Sequence, residues 1–310
     1  MLKEAIMTKT FKVLTILGSP HHRKSNTRAL VEDFVDEVAA AGLPLEHEVI
    51  PLGRKQVDPC RGCWNCTREK RCPQAGDCLE EIKVAMLECD LLIMACPVYE
   101  NQVPAQMKAL FDRLFVWCHI FPLLGKYSLS ACTTGNDGYN EVGSYLEKIL
   151  ATYGTSSFGT IHSIGGFTPG FFPWRKVARA KHAKLARRVA ETMLAGKPLP
   201  VNAMQRRMFK VMKRKMTGMH TVNTLRFGPV EGQPAPNWLR TRLIGHFIKR
   251  LELTDAELDK WAKFLPFELR WWRERGWLDA RSFADLSRRP VPGGFDVRQW
   301  LLRPEAEVAA

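Results

Sequence analysis

Long apolar runs are missing from this 310-residue chain. None approaches the ~20 residues that a membrane-spanning helix needs. Met1–Thr10 has no apolar core of the kind a secretory signal carries, so a cytoplasmic protein is expected, with Met1–Thr10 as a tail or Met7 as the start. No Ser-His-Asp pattern and no His-Glu metal motif is present, and His21, His22, His119 and His162 are scattered, which leaves hydrolytic and metalloprotease chemistry without its residues. Acidic residues are scarce in one region. From Arg175 to Arg250 there are 19 Lys/Arg against Glu191 and Glu231 alone, a local charge of +17 in a chain whose net charge is +14. Such a region suits an anionic partner, be it a dinucleotide phosphate, a nucleic acid or an anionic membrane, or is a solvated helical face. The overall balance, 45% hydrophobic and 25% charged, is that of an ordinary globular chain.

What is present alternates. Phe11–Leu17, Leu45–Leu52, Asp90–Ala95, Lys126–Cys132 and Ser157–Ile164 have strand character. Between and after them, Thr27–Ala41, Glu80–Glu88, Pro104–Val116, Glu141–Tyr153 and Lys176–Ala195 carry helical apolar spacing. The near-continuous apolar run Asp90–Ala95 predicts a strand covered on both faces. Strand–helix alternation of this kind predicts an α/β, doubly wound parallel sheet over residues 11–197. Ligands of such sheets sit at the carboxyl ends of the strands, so the loops after strands one, three and four are the places to look. Residues 198–310 read differently. They comprise a Met-rich basic stretch at Met204–Met216, a Gly/Pro linker at Gly228–Pro236, the segments Leu239–Leu251 and Asp255–Phe264, and Trp271, Trp272 and Trp277. They predict a basic, Trp-rich, mostly helical C-terminal extension following a tail (1–10) and the α/β domain.

The loop Gly18-Ser-Pro-His-His-Arg-Lys-Ser-Asn-Thr27 joins the first strand to the first helix. It lacks the lysine and glycine spacing of a triphosphate loop and is not G-x-G-x-x-G. It offers Ser19, Ser25, Asn26 and Thr27, short polar side chains at a helix start, where free N–H groups and the helix dipole favour an anion. Arg23 or Lys24 could add charge. A plain N-cap by Ser25 or Thr27 is the simpler alternative.

The pattern Gly-Ser-Pro, four residues, then Ser-Asn-Thr after a first strand resembles the flavodoxin-like NAD(P)H-dependent FMN reductases. So do Pro97-Val-Tyr-Glu-Asn-Gln102 with the helix behind it, and Thr133-Thr-Gly-Asn-Asp-Gly138. The resemblance spans about residues 11–195. It implies a five-stranded sheet of order 2-1-3-4-5 holding FMN: the phosphate at Ser19, Ser25, Asn26 and Thr27, the isoalloxazine ring cupped by Pro97, Val98, Tyr99, Glu100, Asn101 and Gln102, and its other edge along Thr133, Thr134, Gly135 and Gly138. A flat, largely apolar ring wants one aromatic neighbour and a few directed donors, which these loops offer. Lys108, Asp112 and Arg113 are expected to fix their helix or a subunit contact rather than to do chemistry.

Nine cysteines are present, five of them within Cys60–Cys78. An odd number without a secretory signal argues against a disulfide framework. Cys60, Cys63, Cys66 and Cys72 form one compact set that suits an iron–sulfur cluster, zinc or free thiols, with Cys78 competing for the last place. The spacing resembles the iron–sulfur flavoprotein branch of the same family, and that resemblance implies a [4Fe–4S] cluster beside FMN. The expected function is therefore an FMN oxidoreductase drawing on NAD(P)H or reduced ferredoxin, in a homo-oligomer, for an unnamed acceptor. A non-enzymatic flavin electron carrier or redox sensor is the alternative. For the basic extension, Met204–Met216 fits either an amphipathic helix on anionic lipid or a helix packed on the domain or a dimer partner. Nucleic acid is disfavoured as a partner.

Overall fold

The computed structural model describes residues 9–68, 71–166, 168–228, 242, 246, 254–257, 266–288 and 301. Five parallel strands, β1 (Phe11–Leu17), β2 (Leu45–Pro51), β3 (Leu91–Pro97), β4 (Tyr127–Thr134) and β5 (Ser156–Ile164), form one sheet of order β2-β1-β3-β4-β5. The flavodoxin-like expectation is met. Because β1 pairs with β2 on one side and β3 on the other, the direction of winding reverses beside β1. Crossovers leave on opposite faces there, and their loops part to open a crevice.

The strands divide their side chains between two cores by simple alternation. Leu91, Ile93 and Ala95 of β3 point to one face, and Leu92, Met94 and Cys96 to the other. The first face is covered by α1 (Asn26–Ala40) and by Ala186, Val189 and Met193 of α7 (Arg175–Leu194). The second is covered by α3 (Leu79–Glu88), α4 (Ala105–Arg113) and α6 (Tyr139–Thr152). A short helix α2 (Asn65–Arg68) lies in the cysteine-rich loop, and α5 (Trp117–Ile120) follows α4. The sequence predicts one helix over Pro104–Val116, whereas the chain breaks it after Arg113. A run as apolar as 114–121 has no solvent side, and the break lets Leu114, Val116, Trp117 and Ile120 all turn inward.

The Met-rich basic stretch is the start of a longer helix, α8 (Ala203–Phe227). Asn202 opens it with a capping box: its Oδ1 accepts from the Gln205 N–H (2.8 Å), and Gln205 Oε1 accepts from the Asn202 N–H (2.9 Å). Phe209, Met212 and Met216 are buried in the same core as β3, so the apolar face of this helix is packed against the domain. Trp271, Trp272 and Trp277, on and just after α9 (Pro266–Glu274), are fully buried there too, with α10 (Phe283–Arg288) closing the described part. The predicted segments Leu239–Leu251 and Asp255–Phe264, the linker beyond Gly228 and the first eight residues lie largely outside the described residues. No helix among the described residues is long and apolar enough to cross a membrane.

Candidate functional site

Three of the predicted loops meet. Ser19, Ser25, Asn26 and Thr27 from the loop after β1, Pro97, Val98 and Tyr99 from the end of β3, and Thr133, Thr134 and Gly135 from the end of β4 line one cavity of about 190 Å3. It sits at the carboxyl ends of the strands beside the reversal of winding.

Each lining segment is held by the fold. The loop after β1 leaves the strand with the Gly18 N–H donating to Ala95 O (2.7 Å), and Ser19 is buried. Ser25 is the N-cap of α1, its Oγ accepting from the Arg28 N–H at 3.2 Å. The simpler reading of Ser25 is thus correct as far as its hydroxyl goes. The first-turn N–H groups of Asn26 and Thr27 have no partner within the helix by its geometry, and both residues line the cavity. Arg23 and Lys24 are exposed and do not line it. Thr27 Oγ1 and Thr133 Oγ1, both buried, share a hydrogen bond of 2.6 Å that joins the first loop to the third.

The second loop is a tight hairpin. Tyr99 and Gln102 exchange backbone hydrogen bonds, each 2.9 Å, and the residues between them, Glu100 and Asn101, take φ of 47° and 58°. Tyr99 remains 42% exposed, so its ring is available at the mouth. Glu100, Asn101 and Gln102 shape the turn and do not line the cavity. Gly138 does not line it either. It lies at φ 81°, and a Cβ there would come within 2.7 Å of Asn101 Oδ1 and 2.8 Å of Val98 Cγ1. Its role is to let the second and third loops touch.

A fourth loop was missed in the sequence. Gly165, Gly166 and Pro169, after β5, line the cavity, as does His21. Asn26 fastens this loop: its Nδ2 donates to Phe171 O (3.0 Å) and Gly166 O (3.3 Å). The Asn26 amide is therefore committed to the wall, and a Cβ on Gly165 would stand 3.2 Å from it. The Gly165-Gly166 pair at a strand end was the available signal.

The cysteine loop runs from β2 to α3. Cys60 and Cys63 are exposed, Cys66 and Cys78 half-buried and Cys72 buried. Burial pushes the Cys66 thiol up to about 11, helped by the neighbouring Cys72, Cys60 and Cys63 and by Glu268. The four predicted thiols share this one loop. Cys78 is the N-cap of α3, its N–H donating to Gln56 O. Among the described residues no three His, Cys, Asp or Glu side chains converge as ligands of a single ion. Soft thiolate donors on one loop fit an iron–sulfur cluster by their chemistry.

Arg113 ties this loop as well as belonging to its own helix, and its role is structural, as expected. Its Nη1 donates to Asp77 Oδ2 (2.6 Å) and Asp58 O (3.0 Å), and its Nη2 to Gln74 O (3.1 Å). Asp77 Oδ2 also accepts from the Asp58 N–H (3.0 Å), so residues 58 and 77, the two ends of the loop, are tied together. The ion pair is buried, with side chains 0% and 5% exposed. Lys108 and Asp112 do pair along their own helix, at 2.5 Å.

A parallel sheet of this order with its loops gathered around one cavity at the strand ends defines a flavodoxin-like fold. A family model described as NADPH-dependent FMN reductase matches residues 11–168, and the chain belongs to that family. It is 32% identical over 161 residues to an iron-sulfur flavoprotein of Archaeoglobus fulgidus, covering 51% of this chain and 70% of the relative. It is 28% identical over 160 residues to an iron-sulfur flavoprotein of Methanosarcina thermophila, covering 51% of this chain and 82% of the relative. Among solved structures, the NAD(P)H:quinone oxidoreductase of Methanothermobacter marburgensis superimposes with a TM-score of 0.44 at 19% identity, over 60% of this chain and 96% of that one. The extension lies beyond the family match.

Proposed function

We propose that this enzyme takes electrons from NAD(P)H or reduced ferredoxin and delivers them, by way of FMN in the cavity, to a separate acceptor. The convergence of Ser19–Thr27, Pro97–Tyr99 and Thr133–Gly135 on one cavity carries the reading. Bound FMN would supply both hydride acceptance and one-electron release. The chain's own residues bind and orient. The amides of Asn26 and Thr27, at the positive end of α1, hold the phosphate. Tyr99, half-exposed on a rigid hairpin, offers an aromatic face to the ring at the mouth. Thr133, Thr134 and Gly135 bound its other edge, with Thr134 Oγ1 held by a bond to Asp137 O (2.5 Å).

Cys60, Cys63, Cys66 and Cys72 are the proposed holders of a [4Fe–4S] cluster, whose chemistry there would be one-electron transfer. Their compact spacing on one loop, with Cys78 taken up as the N-cap of α3, supports that choice. The exposed Ile164 at the end of β5, Phe171 and Trp174 in the loop after it, and Val177 in the first turn of α7 support a homo-oligomer.

The test is anaerobic. Protein purified without oxygen should show flavin absorbance and a broad shoulder that bleaches on reduction, and NADH or NADPH should bleach the flavin bands. Flavin that neither nucleotide reduces would contradict the NAD(P)H arm and leave the ferredoxin-linked one. Flavin bands without the shoulder would contradict the cluster.

A further inference from the structure

The extension does more than fill the second core. Helix α9 packs against α2 in the cysteine loop. Its Glu268 is 0% exposed, a placement a carboxylate takes only when paired. Two groups pair it. Oε1 meets His119 Nδ1 in a short hydrogen bond, and Oε2 lies 3.2 Å from Lys215 Nζ of α8. The Trp272 indole N–H donates to His119 O at 2.8 Å, so the extension grips His119 by both its ring and its backbone.

From His119 the contacts continue into the loop. Its ring meets Phe115 edge-on at 4.9 Å, and Phe115 meets Trp64 edge-on at 5.1 Å. Trp64 lies between Cys63 and Cys66 with φ 61°. A bulky residue in the left-handed region is strained, and surrounding contacts must hold it. Trp64 O accepts from both the N–H (3.1 Å) and the hydroxyl (2.7 Å) of Thr67, which is fully buried. The turn that sets the spacing of Cys63 and Cys66 is therefore fixed from beneath by Thr67 and from the side by the Phe115 ring. That ring is in turn backed by His119 and the buried Glu268, with which the half-buried Lys215 of the extension also pairs.

We propose that the C-terminal extension is a built wall of the cysteine loop, and that Glu268 is a positioning residue that fixes the Cys63–Cys66 turn through His119, Phe115 and Trp64. This concerns where the loop is held and is independent of the group its cysteines bind.

The experiment uses the full chain, FMN-bound and metal-free, and compares Glu268→Ala, Glu268→Gln and Phe115→Leu with wild type. Hydrogen exchange by peptide mass spectrometry and alkylation rates at each cysteine are the readouts. In Glu268→Ala, exchange across residues 63–67 and alkylation of Cys66 should quicken by about tenfold through local opening, while the β3 peptide and the FMN content stay as in wild type. Glu268→Gln, which retains an acceptor for His119, should restore most of the protection. Phe115→Leu, which removes the relay and spares the ion cluster, should loosen the same residues, and it decides the matter if Glu268→Ala does not fold. Wild-type rates at 63–67 and Cys66 in Phe115→Leu would overturn the proposal. So would a rise in exchange spread equally over the loop and β3.

Discussion

Thr27, in the first turn of α1, and Thr133, near the end of β4, lie 106 residues apart in the chain and share a 2.6 Å hydrogen bond in the wall of the candidate flavin cavity. Replacing either by Val leaves the other hydroxyl buried without this partner. Each single variant should lose about 1–3 kcal/mol in urea unfolding, and each should bind FMN more weakly because the first and third loops are no longer tied. The double variant should lose less than the sum, since both partners are then apolar. Additive losses would mean the bond is not formed.

Gly138 is the contact point of the second and third loops. Gly138→Ala should weaken FMN binding and lower stability, because the new methyl meets Asn101 and Val98 and the backbone sits at φ 81°. Gly196→Ala is the control: its φ is 58° but nothing stands within 4 Å of the added carbon. It should show the backbone penalty, about 1 kcal/mol, with FMN affinity unchanged. Equal FMN affinities in the two variants, measured by flavin fluorescence titration, would contradict the steric account.

Arg113 and Asp77 form a buried ion pair at the neck of the cysteine loop. Removing one partner leaves a buried charge, so Arg113→Ala should cost about 3–5 kcal/mol in urea unfolding. It should also open the loop between residues 58 and 77 to limited proteolysis. Unchanged stability and an uncut loop would show that the pair does not close the neck.

Three histidines give acid sensitivity. His47, hydrogen-bonded to Thr15 at 2.8 Å, has its pKa lowered from 6.5 mainly by burial. Burial also lowers His162, with the charges of Lys181 and His182 adding to it, and burial lowers His182. Below about pH 6.5 the unfolded chain takes up protons that the folded chain does not. Stability is therefore full above that pH and falls as acid is added. Tm should drop between pH 7 and pH 5, with a smaller drop in His47→Gln. A Tm that holds steady in wild type over this range would contradict the assignment.

The fold was legible because every strand after β1 is announced by a β-rich or continuous apolar run and every crossover by helical spacing. Asp90–Ala95 already showed the double burial that β3 has. The loops after β1, β3 and β4 were legible as motifs, while Gly165-Gly166 was not, since it carries no side chain to suggest a ligand. Helix α8 was under-read because its second half, 217–227, is rich in Thr and other weak helix formers, and the tertiary packing of its apolar face overrides propensity. Least legible was the tie between Arg113 and Asp77 and that between His119 and Glu268. The partners lie 36 and 149 residues apart, and only the folded chain brings them together.

Holding of the FMN phosphate at Ser19–Thr27 is tested directly by titrating the flavin-free protein with FMN and with riboflavin. The two ligands differ only in the phosphate. FMN should bind at least about 100-fold more tightly, the equivalent of two charge-assisted hydrogen bonds at about 1.5 kcal/mol each. Equal affinities for the two would contradict it.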